Sequence, residues 1–374
     1  MASVSLKNLT LIGPGKDGID RTSLGDLSLE IQDREFVVLA GPSHGEISSI
    51  VRMIAGLDPV SKGDIFIGDR RVNDVPPSDR DVALVSHDHV PYPRLSVYEN
   101  LAFALERRKF PGAEVKKRVL AAAEIVGLQE LLESRPQSLS RPQGQRLAFA
   151  RAIALQPKVF LFDEPLANLE AGARGQMRNL IAKTHQRLQA TMIYATHDPV
   201  EAMALGGRLV VVNNGAIAQD GTALSLYDEP ANSFVAEFLS PPMNLVRGIL
   251  KLDRDSLIFR EQDDGTIEVR WPVSEFPAAQ DLGGKAVVLG LRPEEISVSE
   301  STPPKASSGS FRAIVENVEI FGSEIDIHLQ TGAHTLLCRA SRTTEQPEAG
   351  RRLQFELNAD KVRLFDPISG VRLK

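Results

Sequence analysis

The spacing of apolar residues changes along the chain, and the change divides it in two. Residues 3–12 and 26–33 alternate, with Val4, Leu6, Leu27, Leu29 and Ile31 in phase, and predict half-buried strands. Between them GPGKDGIDRTS reads as a turn-rich loop. Phe36-Val-Val-Leu-Ala40 is wholly apolar and predicts a buried strand. It leads through Gly41-Pro-Ser-His-Gly-Glu46 into Ile50, Val51, Met53 and Ile54 at helical spacing. Residues 63–72 predict a hairpin, residues 81–86 another buried strand, and residues 114–132 a helix with Lys and Arg on its polar face. A further helix starts at Ser140, a good N-cap, with Pro142 in its first turn and Gln143 completing a capping box; it runs to Leu155 and stops at Pro157. Val159-Phe-Leu-Phe162 ends in Asp163-Glu164-Pro165. That predicts a central parallel strand with two carboxylates at its C-terminal edge, where ligands of α/β sheets bind. A helix over roughly 170–189 follows, then a buried strand Thr191-Met-Ile-Tyr-Ala195 ending in Thr196-His197-Asp198. The strand at 208–212 closes on an Asn213-Asn-Gly215 turn.

Strand–helix alternation to about residue 238 predicts one α/β domain with a mostly parallel sheet. Ser240-Pro-Pro-Met-Asn244 reads as a linker. After it come short alternating segments, SLIFRE, TIEVRW, AVVLGLR, EIDIHLQ, HTLLCRA, RLQFEL and KVRLFD, separated by turns. They predict an all-β, barrel-like domain of OB style, with residues 299–310 as a polar loop inside it. The expected domains are therefore 1–240 and 245–374.

Composition narrows the function little. A net charge of −6 and a pI near 5.8 give no bulk attraction to nucleic acid. The single cysteine, Cys338, rules out an intramolecular disulfide and sits in an alternating segment, as a small buried hydrophobe would. The N-terminus has neither the basic nor the apolar region of a signal peptide. No apolar window reaches membrane-spanning length, so a membrane role would go through a partner. His87-Asp-His89 has metal-like spacing but no third Cys or His nearby, and reads as a solvated loop.

Strand, Gly-rich loop and helix at residues 36–54 form the setting of a phosphate-binding P-loop, G-x-x-x-x-G-K-[ST]. Gly41 opens the pattern and Ser48 closes it, but Glu46 stands at the second glycine and Ile47 at the lysine. Four other stretches follow in order: FDEPLANL at 162–169, YATHD and VEAM at 194–203, YDEPANSFV at 227–235 with PMN at 242–244, and LRPE with LFD at 291–294 and 364–366. With them the whole chain resembles the ATP-binding subunit of ABC importers, in the group serving sugars and glycerol phosphate.

The resemblance implies an α/β P-loop ATPase domain of ABC type followed by an OB-like (TOBE-type) regulatory domain. It implies ATP and Mg2+ held between two subunits, a homodimer or a heterodimer with a related ATPase subunit. Gly41, Pro42, Ser43, Gly45, Ser48 and Ser49 would bind nucleotide, and Ser48 and Asp163 would hold Mg2+. Glu164 would act as general base or position water, and His197 would touch the γ-phosphate. Ser140 and Gln143 of the signature motif would reach the site of the other subunit. The expected partners are membrane-spanning permease subunits, met around Tyr92-Pro-Arg-Leu-Ser-Val97, and the expected place is the inner face of the plasma membrane.

The chain departs from the family pattern where ATP is touched. Besides Glu46 and Ile47, Arg141 and Pro142 replace the signature glycines, His87 the Q-loop glutamine and Glu170 an aspartate, while Ile12-Gly13-Pro14 stands where an adenine-stacking aromatic belongs. A carboxylate about 4 Å from a phosphate costs on the order of 4 kcal/mol at an effective dielectric near 20. Ser43-His-Gly-Glu46 also fits a capping box, so Glu46 either caps the helix where a phosphate would sit or faces solvent. Asp163, Glu164 and His197 can be catalytic or a retained scaffold. The expected function is a nucleotide-binding-type subunit of an importer with reduced or lost ATPase activity. The alternative is a non-catalytic regulatory or scaffold protein that uses the ABC fold for dimerisation.

Overall fold

The wholly apolar runs of the first half become the inner strands of a parallel sheet. The structure, a computed structural model, describes residues 1–14, 20–88, 90–240, 242–275, 279–299, 308–332, 334–342 and 347–373. It comprises two units, Met1–Leu226 and Tyr227–Lys374. The first unit opens with β1 (Val4–Pro14), β2 (Asp20–Ile31), β3 (Phe36–Ala40), α1 (His44–Ala55), β4 (Lys62–Ile67), β5 (Arg70–Arg71) and β6 (Val82–Ser86). It continues with α2 (Val97–Arg107), α3 (Gly112–Val126), α4 (Arg141–Leu155), β7 (Val159–Asp163), α5 (Ala171–Leu188), β8 (Thr191–Thr196), α6 (Pro199–Ala204), β9 (Arg208–Asn213) and β10 (Ala216–Thr222). Helix α7 (Ala223–Asp228) follows.

The main sheet has the order β10-β9-β3-β8-β7-β6, parallel except for β10. Every residue of β3, β7 and β8 is buried, which is why these strands carry no alternation. Ala40 pairs with Thr196 and Val211, and Asp163 pairs with Ser86 and Ala195, so the C-terminal ends of five strands lie level. A second, antiparallel sheet has the order β2-β1-β4-β5. The turn-rich loop expected at 13–23 lies largely within β1 and β2, and residues 15–19 are outside the described residues.

Helix α1 shares one core with both sheets. Ile50, Val51, Met53 and Ile54 are fully buried, together with Leu6, Leu27 and Ile65 of the antiparallel sheet and Val37, Leu161, Ile193 and Val210 of the parallel one. The helix termini leave backbone groups that need partners. Ser43 caps the start. At the other end Gly56 takes the left-handed conformation (φ 79°), and the buried Arg80 donates from Nη1 to the carbonyls of Met53 (2.7 Å) and Ile54 (3.1 Å). Its Nε and Nη2 reach the carbonyls of Val75 and Asn73. Helix α3 ends earlier than the periodicity predicts, at Val126, because Gly127 turns left-handed (φ 71°) and terminates it.

The second unit carries α8 (Ser233–Leu239), β11 (Asn244–Asp253), β12 (Ser256–Glu261), β13 (Glu268–Pro272), α9 (Ala279–Leu282), β14 (Ala286–Leu291) and β15 (Ile296–Val298). Then come β16 (Ser308–Phe321), β17 (Glu324–Gln330), β18 (Thr335–Ser341), β19 (Arg352–Asn358) and β20 (Arg363–Phe365). All its pairings are antiparallel, around a core of Phe259, Trp271, Phe355 and Leu364. This is the OB-like domain expected. The sequence pattern missed β11, β15 and β16. Strand β16 is the longest there, but a register shift between Val315 and Asn317 breaks its alternation.

Replacing Arg80 by Ala strips the α1 carboxyl end and the facing loop of their donor. We expect a loss of roughly 2–3 kcal/mol, read as a lower urea midpoint, with Arg80→Lys recovering only part because an ammonium cannot span four carbonyls.

Candidate functional site

The level strand ends of the parallel sheet place the loop after β3 beside the carboxylates after β7 and the histidine after β8. Gly41 is required by backbone packing alone: an added Cβ would lie 2.3 Å from the Val212 carbonyl oxygen. Pro42 is exposed. Ser43 is the N-cap of α1, and its Oγ accepts from the Glu46 N–H at 3.4 Å. Ser48, one turn into α1, donates to Asp163 Oδ1 at 2.6 Å. Ser49 is half-buried, and Gly45 meets no close neighbour that forbids a side chain.

Positions 46 and 47 look away from this edge. Ile47 is 1% exposed and belongs to the core shared with Val37, Leu39 and Val212, its Cδ1 packed beneath Gly41. Only half of the capping box expected for Glu46 forms. The return bond is absent because the Glu46 carboxylate instead accepts from the Gly215 N–H, 3.3 Å away in the β9–β10 turn. Glu46 is thus neither a reciprocal cap nor a free solvent-facing group.

Glu164 is 4% exposed and holds a left-handed backbone (φ 48°), fixed by its N–H donating to the Ala195 carbonyl at 3.0 Å. One oxygen, Oε1, faces two imidazoles, His197 Nδ1 at 3.0 Å and His44 Nδ1 at 2.5 Å. The two rings lie 3.7 Å apart, tilted by 37°. Burial pushes the Asp163 carboxyl above the usual aspartate range, the Ser48 hydrogen bond pulls it back, and the Glu164 charge pushes it up again. Following His197, Asp198 caps α6 through the N–H groups of Val200 and Glu201 and accepts from Arg174. Buried Glu201 accepts from Tyr194 Oη (2.8 Å) and Thr196 Oγ1 (3.1 Å).

The structure therefore brings Ser48 to Asp163 and His197 to Glu164, and adds His44, which the loop pattern did not single out; Ser43 stays with its own helix as the cap. Ser140 and Gln143 form the expected capping box with each other at the head of α4, where Arg141 is exposed. His87 donates its backbone N–H to the Asp163 carbonyl, while His89 lies outside the described residues. The hydroxyl of Ser48 and the carboxylate of Asp163 are the hard oxygen donors Mg2+ prefers. The loop presents no cation at position 47 and a carboxylate at 46, which does not match a triphosphate.

Comparison with known proteins bears on the same residues. Residues 24–167 match the ABC transporter family, 240–296 the MalK OB fold domain and 289–365 the TOBE domain. The oligosaccharides import ATP-binding protein MsmX of Bacillus subtilis is 41% identical over 355 residues, covering 94% of this chain and 95% of its own. The trehalose/maltose import ATP-binding protein MalK of Thermococcus litoralis is 40% identical over 93% of this chain and 95% of its own. The sn-glycerol-3-phosphate import ATP-binding protein UgpC of Escherichia coli is 38% identical across both full lengths. Among solved structures, cbiO1 of Clostridium perfringens, part of the ABC transporter complex cbiONQ, superposes with a TM-score of 0.55 at 23% identity, over 60% of this chain and 90% of that one, a likeness of fold.

Burial raises the Glu201 carboxyl above the usual glutamate range, with Asp198 raising it further and Arg178, Tyr194 and Thr196 pulling it down. The folded chain therefore holds this proton more tightly than the unfolded chain. Its contribution is least unfavourable below the unfolded value, and stability falls as pH rises through the raised folded value. Glu201→Gln keeps an acceptor for both hydroxyls and removes the charge. We expect its urea midpoint to lose that pH slope between mildly acid and neutral conditions; an unchanged slope contradicts the assignment.

Proposed function

We propose that this chain, which belongs to the ABC transporter family and within it to the ATP-binding subunits of sugar and glycerol-phosphate importers, docks on permease subunits with reduced or lost ATPase activity. The observation that carries the reading is Ile47. The side chain at the lysine position is packed into the core below the loop, so no rotamer change brings a cation to a phosphate there. Glu46, tied to Gly215, adds negative charge to the first turn of α1, the end that would otherwise attract an anion. Several retained residues also have a structural task. Gly41 permits a close backbone approach, Ser43 and Ser140 cap helices, and Ser48 satisfies Asp163. The presence of these four is compatible with a site that holds no nucleotide.

No helix among the described residues is long and apolar enough to cross a membrane, so contact with one would go through permeases. The surface we propose for it is the segment before α2. Asn100 organises that segment by donating to the carbonyls of Tyr92, Leu95 and Ser96 and accepting from the Tyr92 N–H, and Arg151 lies over the Tyr92 ring. Within the chain we assign the ABC-type domain to residues 1–240 and the TOBE-type regulatory domain to 245–374, a join supported by the MalK OB fold match beginning at 240. Which sugar or glycerol phosphate moves would be decided by the partner subunits.

Labelled ATP with Mg2+ tests the reading. We expect no turnover above that of Glu164→Gln. Fast multiple turnover that Glu164→Gln abolishes would overturn it. Ile47→Lys, which restores the motif letter, is expected to lower the unfolding midpoint without producing turnover, because the ammonium enters an apolar core.

A further inference from the structure

We propose that His44, Glu164 and His197 bind a divalent transition-metal ion of zinc type at the C-terminal edge of the parallel sheet. The inference goes beyond the importer reading and does not depend on it.

The three side chains come from three separate elements. His44 opens α1, Glu164 follows β7 and His197 follows β8, and one ligand atom from each lies within 4.8 Å of the others. Two imidazole nitrogens and one carboxylate oxygen make a ligand set that suits zinc, with a fourth position left for water or another anion. Hard cations such as Mg2+ prefer oxygen alone, and the oxygen pair of Ser48 and Asp163 is already closed by its own hydrogen bond.

The cluster is demanding as it stands. Both Nδ1 atoms face the same oxygen of a buried carboxylate, and the rings are nearly in stacking contact. Two N–H groups directed at one oxygen from adjacent rings repel each other; a single cation replaces both protons and satisfies all three groups. Bonds of about 2.0–2.1 Å give tetrahedral ligand–ligand edges of roughly 3.4 Å, so the observed 2.5 and 3.0 Å separations must widen by several tenths of an ångström. Glu164 is fixed by burial and its backbone bond, and His197 follows the end of β8. The third can move, since the His44 side chain is 60% exposed and sits at the first residue of its helix.

A second histidine–glutamate pair shows the contrast. His334 Nε2 accepts from the Arg247 N–H, which leaves its Nδ1 proton for Glu261 Oε1. Thr331 and the Ile267 N–H supply further bonds to Glu261, so that pair is a closed hydrogen-bonded unit.

Co2+ reports the site in the full chain without nucleotide. We expect one equivalent to bind with a visible absorption band of tetrahedral or five-coordinate character, displaced by Zn2+. His44→Ala and His197→Ala should each weaken binding at least about tenfold to a hundredfold. His328→Ala, at the surface of the second unit, should leave it unchanged. Zn2+ should raise the unfolding midpoint of the parent chain but not of His44→Ala, whose midpoint in chelator confirms that it folds. No visible band, or the same affinity in both histidine variants, overturns the proposal. Because no ATP is present, neither outcome bears on turnover, and an ATPase result leaves the metal question separate.

Discussion

Helix α1 is held between two sheets, and its burial constrains everything at the sheet edge. A helix with Ile47, Ile50, Val51, Met53 and Ile54 all in the core cannot rotate about its axis without exposing one of them. That rotation fixes which first-turn residues face the strand ends. His44 and Ser48 reach the carboxylates of Glu164 and Asp163, whereas Ile47 points inward and Glu46 toward the β9–β10 turn. Packing thus decides the chemistry available to the loop. Arg80 satisfies carbonyls at the buried C-terminal end of the helix, and Ser43 caps its more open start.

The same constraint explains why a loop lacking its lysine still resembles a phosphate loop. Strand-to-helix passage at this point needs a glycine where β3 meets the Val212 carbonyl and a hydroxyl to cap α1. A donor for the buried Asp163 is needed as well, and Ser48 is placed to provide it. Residues serving those needs are independent of any ligand. The charge balance is not: the loop carries an apolar side chain at position 47, a carboxylate at 46 and an imidazole at 44. At this edge two imidazoles face one oxygen of the buried Glu164 carboxylate.

Much of the fold was legible because its signals are local. Unbroken apolar runs marked β3, β7 and β8, and the Ser140–Gln143 capping box placed the start of α4 to the residue. Errors fell where local pattern and tertiary demand diverge. Gly127 ended α3 inside a periodic stretch, and a register shift hid β16. The site was half legible. Asp163, Glu164 and His197 announced themselves at strand ends, but the Glu46–Gly215 bond spans 169 residues and the His44–Glu164 contact joins elements far apart in sequence. No spacing rule encodes such pairs; only the level ends of the parallel strands bring them together.

The second unit shows how stretches that carried the resemblance earn their place physically. Tyr227, Arg292 and Glu294 belong to these stretches, Glu295 and Arg363 adjoin them, and the five meet in one knot. Tyr227 Oη donates to Glu294, and the Arg292 guanidinium lies over the Tyr227 ring and donates to its carbonyl. Glu295 accepts from the Arg292 N–H and from Arg363 Nη1 at 2.8 and 3.1 Å. Burial lowers the Arg292 proton affinity and the neighbouring Arg363 lowers it further, while the Tyr227 ring and Glu295 offset part of that cost. Two buried cations sharing one carboxylate tolerate little change, since removing Glu295 would leave both uncompensated. As with Gly41, Ser43 and Ser48 in the loop after β3, these side chains answer a packing or charge demand of the fold itself.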